Sequence, residues 1–74
     1  METFGARLQR LREERGLSRY AVAKATGLSQ QLLQRLDALP TGRHVTGYTL
    51  LQLARFFGLT IEELLNEEEE PHAA

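Results

Sequence analysis

Cysteine is absent from this chain of 74 residues, so no disulfide staples it and no thiolate can ligate a metal. Histidine is scarce, and His44 and His72 are too few for an ordinary zinc site. No apolar run approaches the roughly 18 residues of a membrane span. The opening METFGARLQR lacks the long apolar stretch of a signal peptide. Strand-like alternation is missing, since Val45-Thr46 is too short to count. There is no P-loop and no G-x-G-x-x-G, and Ser18, Ser29, Asp37 and His44 form no recognisable triad pattern. The expectation is a soluble cytoplasmic protein that is not an enzyme and has no cofactor, no metal and no membrane contact. A chain this short buries only about 60% of its unfolded surface. Helix packing, with or without oligomerisation, must then supply its stability.

Charge is unevenly spread. Residues 1–60 carry all nine Lys and Arg against four acids, a balance of +5, whereas residues 61–74 carry six acids and no base. The net charge of −1 hides this segregation. A basic body points to a polyanionic partner, although a solvated surface with a solubilising tail accounts for the same charges.

What the chain does have is regular punctuation. Gly16, Gly27 and Gly58 each follow a helical pattern, and Ser18, Ser29 and Thr60 each precede the next. Thr60-Ile-Glu-Glu63 has the spacing of a capping box. Apolar spacing then predicts five helices, at about 3–15, 18–25, 29–38, 47–57 and 61–66. Their inward residues are expected to be Phe4, Leu8 and Leu11; Val22 and Ala23 with Tyr20; Leu33 and Leu36; Leu50, Leu53, Ala54 and Phe57; and Ile61, Leu64 and Leu65. Gly5, inside the first helix, costs up to about 1 kcal/mol relative to alanine. Pro40 ends the third helix by forcing Leu39 out of helical geometry. Residues 1–66 are expected to form one domain, and the acidic stretch 67–74 a disordered tail.

The segment Leu17–Asp37 reads as two short helices joined by a tight turn at Gly27, with Ala21, Ala23 and Ala25 permitting close approach. That is the helix-turn-helix unit, whose second helix lies in the major groove of duplex DNA. Ser29, Gln30, Gln31, Gln34 and Arg35 on the second helix are all hydrogen-bonding residues. Glutamine can bind adenine through N6 and N7, and arginine can bind guanine through O6 and N7. An ordinary polar helix face is the plainer reading of the same residues.

Taken together, Leu8, Leu11-Arg12, Gly16-Leu17-Ser18, Val22-Ala23, Gly27-Leu28-Ser29, Leu33, Leu36-Asp37 and Leu50–Phe57 with Gly58 carry a resemblance. Over about residues 4–65 the chain resembles the phage repressor and Cro-type helix-turn-helix family, also called the xenobiotic response element family. The resemblance implies an all-α, compact five-helix bundle of the lambda-repressor type that binds operator DNA, often as a homodimer on a palindrome. It also implies a recognition helix at Ser29–Ala38 with Gln30, Gln31 and Arg35 on base-reading positions. Arg19 stands where the family often has a phosphate-binding glutamine. Arg12 and Asp37 match a pair that forms a partly buried salt bridge, with aspartate here in place of the usual glutamate. The family's glycine after the acid is replaced by Ala38-Leu39-Pro40, and the following loop is longer. In that loop Arg43 and His44, with the backbone N–H groups opening the fourth helix, are candidate phosphate contacts.

Tyr48, Leu51 and Phe56 cannot all enter a core already taken by Leu53, Ala54 and Phe57. They are expected to form an exposed apolar patch and a two-fold dimer interface. The alternative is an antitoxin or anti-regulator of the same fold with a protein as main partner, to which the acidic residues Glu67–Glu70 would suit.

Overall fold

A hydroxyl side chain opens every helix in the computed structural model, which describes residues 2–65. Thr3 caps α1 (Phe4–Glu14), Ser18 caps α2 (Arg19–Thr26), Ser29 caps α3 (Gln30–Asp37) and Thr46 caps α4 (Gly47–Phe57), each accepting the N–H three residues on. Thr60 opens α5 (Ile61–Leu65) with a reciprocal box: its N–H donates to Glu63 Oε1 at 2.9 Å, and its Oγ1 accepts from Glu63 N–H at 3.0 Å. The expected fourth helix has the observed bounds; the first three begin one residue later, because Thr3, Ser18 and Ser29 are caps, and end within one residue of the expected position. The end of the fifth and the acidic stretch 67–74 lie outside the described residues. Among those described, all regular structure is helical, and no helix is long and apolar enough to cross a membrane.

The core lies where α1, α2, α3 and α4 converge, with α5 closing over α4. Phe4, Val22, Leu53 and Leu64 are its largest fully buried side chains, surrounded by Leu8, Leu33, Leu36, Leu50, Ala54 and Phe57. Burying one such aliphatic or aromatic side chain stabilises by about 1.5–3 kcal/mol. Two expected placements are corrected. Tyr20 is 56% exposed, because the inward stripe of α2 is Val22, Ala23 and Thr26, and its ring lies outside under Lys24 Nζ. Phe56 is half-buried and meets Phe57 edge-to-face at 5.1 Å, so it belongs to the margin of the core.

Gly5 fixes how α1 sits on α3. A Cβ at this position would lie 2.0 Å from the Asp37 carbonyl oxygen and 2.9 Å from that of Leu36. Hydrogen bonds follow this contact: Gly5 N–H donates to Leu39 O at 2.9 Å, Phe4 N–H to Pro40 O at 3.1 Å and Gln9 Nε2 to Asp37 O at 3.3 Å. The N-terminus of α1 thereby satisfies two carbonyls just past α3, and Gln9 satisfies that of Asp37 at the end of α3, where intrahelical partners run out.

Candidate nucleic-acid interface

Between α2 and α3 only Gly27, Leu28 and Ser29 intervene. Gly27 takes φ +80°, a left-handed conformation that other residues adopt only with strain. Leu28 is buried and anchors the turn in the core. Thr26, buried at 8% exposure, latches it: its Oγ1 donates to Val22 O at 2.8 Å and accepts from Leu28 N–H at 3.2 Å. Thr26 is not among the residues expected from apolar spacing; a hydroxyl directly before the capping glycine is the signal for it.

The turn directs α3 so that Leu33 and Leu36 face the core. Gln30, Gln31, Gln34 and Arg35 are all exposed on the opposite side. Gln30 and Gln34 are four residues apart, as are Gln31 and Arg35, so the four form one continuous face. Within the described residues these four make no side-chain hydrogen bond or ion pair. Ser29 is exposed too, but its Oγ already accepts from Leu32 N–H at 3.0 Å, leaving its O–H to donate elsewhere. Leu32 is half-buried against the core.

The cations sort into two groups. Arg10 is consumed by Glu2 and Glu14, with contacts at 2.6 and 3.0 Å. The hydrogen bond from Arg10, assisted by the charges of Arg10 and Arg7, holds the Glu2 carboxyl below the usual glutamate range. Arg15 donates to Phe57 O at 3.1 Å and lies over the Phe57 ring. These arginines on α1 serve the fold. Arg35 and Arg43, by contrast, are exposed and have no ion pair among the described residues. Arg35 and His44 line one shallow groove of about 240 Å³, floored by Leu32, Leu36, Leu39 and Val45. The longer loop therefore extends the surface of α3, and the backbone N–H of Arg43, bonded to Thr41 Oγ1 at 3.2 Å, orders its tip.

Asp37, the last residue of α3, gathers two arginines. Its Oδ2 is 2.6 Å from Arg12 Nη2 and 3.0 Å from Arg19 Nε. Arg12 and Asp37 close over Leu8, Val22, Leu33, Leu53 and Phe57, leaving about 10 Å³ between them and the core. A void of that size admits one water at most. Aspartate suffices in place of glutamate because Arg12 and Arg19 both reach to it.

Comparison with known proteins agrees with this geometry. The family described as helix-turn-helix domain matches residues 3–67. The chain belongs to that family. Its described residues form an all-helical, five-helix module of the phage repressor/Cro type, the class of DNA-binding domains that regulate transcription. Among solved structures, this helix-turn-helix domain resembles the restriction-modification controller protein C.AhdI from Aeromonas hydrophila. The two are 31% identical with a TM-score of 0.69, over 82% of this chain and 89% of that one. No curated protein sequence matches.

Proposed function

We propose that the domain is a sequence-specific regulator that lays α3 into the major groove of duplex DNA and represses transcription by occupying its site. Gln30, Gln31, Gln34 and Arg35 read base edges, with Ser29 at the entry of the helix. Arg19, Arg43 and His44 hold the phosphates that flank it. One observation carries this reading: the outer face of α3 is a row of amide and guanidinium groups that are exposed and, among the described residues, unbonded. Such groups are not spent on contacts among the described residues, and their donors and acceptors match purine edges. The likeness to a restriction-modification controller supports a regulatory role.

Tyr48 and Leu51 remain 64% and 40% exposed on α4, and this supports a homodimer through that face with Phe56 at its margin. A two-fold axis there would set the two recognition helices roughly 34 Å apart, one turn of DNA. We take residues 1–66 as the binding domain and the acidic residues 67–74 as an appendage. Selection of bound duplexes from a random pool at moderate salt tests the function. Two related half-sites spaced by one helical turn are expected. Recovery of no motif would overturn the reading and favour a protein partner bound through the acidic segment. On the selected site Gln30→Ala should relax discrimination at one base pair by about 1–3 kcal/mol. Equal losses on specific and random duplex would remove its base-reading role. Loss of dimer on the selected site in Leu51→Arg, read by sedimentation, is expected; an unchanged dimer places the interface elsewhere.

A further inference from the structure

Asp37 stands at the meeting of α1, α2 and α3, and two guanidinium groups converge on its single oxygen Oδ2. The side chains become more exposed outward: 7% for Asp37, 14% for Arg12 and 40% for Arg19. One carboxylate cannot neutralise two guanidinium groups, so a full positive charge is left over. Arg12, enclosed on the core side, satisfies Asp37 at 2.6 Å. The surplus therefore resides on Arg19, the member that reaches solvent. The manner of its attachment matters more. Arg19 is held through Nε, the inner nitrogen of the guanidinium. The outer pair, Nη1 and Nη2, carries the other four of the five N–H donors, and two of those donors match a phosphate fork. An unanchored arginine loses rotamer freedom when it grips a phosphate; one already held at Nε has lost most of it on folding.

We propose that Asp37 is a positioning residue for DNA binding: it fixes Arg19 by Nε so that the outer nitrogens meet a backbone phosphate. The inference rests on the reading that Arg19 contacts phosphate, and goes beyond it by making an almost enclosed acid behind Arg19 an aid to binding. Charge alone gives the opposite sign. Neutralising a carboxylate beside a polyanion should tighten binding. Positioning requires that it weaken.

The test compares the full chain with R19A, R19K, D37N, D37E and the double variant R19A/D37N on one selected duplex at several salt concentrations, each confirmed folded by circular dichroism. R19A is expected to weaken binding about tenfold and to lower the log–log salt slope by about 1. D37N is expected to weaken it about threefold or more, and D37E to restore it, as expected when a placed guanidinium is lost and regained. In the R19A background D37N should change affinity by less than about twofold, since coupled residues are not additive. Should D37N fail to fold, R19K decides the matter. An ammonium has no inner nitrogen to anchor, so R19K should keep the salt slope yet bind about threefold more weakly. A second readout needs no DNA: the Arg19 Nε–H resonance of the unbound protein should be protected from solvent exchange, and lose that protection in D37N. The proposal is overturned if D37N binds as well as or better than the parent, if its loss is equally large without Arg19, or if R19K matches the parent. An R19A variant with unchanged affinity and slope overturns the phosphate contact itself, even where Nε–H still answers to Asp37.

Discussion

Gly5→Ala is expected to destabilise the domain by about 3 kcal/mol or more, an effect at the upper end of core overpacking. Helix propensity alone argues the other way, since alanine in a helix interior gains up to about 1 kcal/mol over glycine. Geometry decides between them. The added Cβ would lie 2.0 Å from Asp37 O and 2.4 Å from Asp37 C, and both are backbone atoms that no rotamer change can move aside. α1 must withdraw from the end of α3, breaking the bonds from Gly5, Phe4 and Gln9 to that end. Withdrawal also separates Arg12 from Asp37, whose side chains are almost enclosed. Leaving such a charge without its partner is itself costly. Small domains have only about 5 kcal/mol of stability in all, so much of this one would unfold near 37 °C. Gly47→Ala is the matched control. Gly47 begins α4 with open space around its Cβ position and no positive φ. It should stabilise by a few tenths to about 1 kcal/mol. Urea denaturation of both variants gives the contrast, and a neutral Gly5→Ala would refute the packing of α1 against α3.

Arg35→Ala carries the largest expected effect on recognition. It should weaken binding to the selected site by about 10- to 100-fold, the loss expected of one bidentate guanine contact of about 1–3 kcal/mol together with its charge. The loss should fall on one base pair. The parent protein discriminates there among four pairs, and the variant should treat them nearly alike. Replacing that guanine by 7-deazaguanine removes the N7 acceptor, and should weaken the parent but not the variant. Stability should change by less than about 0.5 kcal/mol, because Arg35 is exposed and has no ion pair among the described residues. A uniform loss on every duplex, random sequence included, would move Arg35 to the phosphate group.

The sequence discloses the elements here with more success than their contacts. Local rules act over three or four residues, and helix caps and apolar spacing are local. The hydroxyls at Ser18, Ser29 and Thr60 and the glycine at Gly27 therefore place the helix ends within a residue. The outward face of α3 was legible for the same reason: once Leu33 and Leu36 point inward, the glutamines must point out. From sequence Gly5 shows only a propensity cost, because its purpose depends on a carbonyl thirty-two residues away. The joint hold of Asp37 on Arg12 and Arg19 was likewise hidden, since reach between three helices depends on their crossing, which periodicity does not fix. Tyr20 and Phe56 were misplaced at the margins of an apolar stripe, where one position of rotation separates core from surface.

The central claim is that the outer face of α3 enters the groove. Titrating the isotope-labelled protein with the selected duplex, and following the side-chain amide protons of Gln30, Gln31 and Gln34 with Nε–H of Arg35, tests it most directly. These resonances should move furthest and exchange most slowly with water once bound. A footprint centred on α4, with the α3 side chains unchanged, would contradict the account.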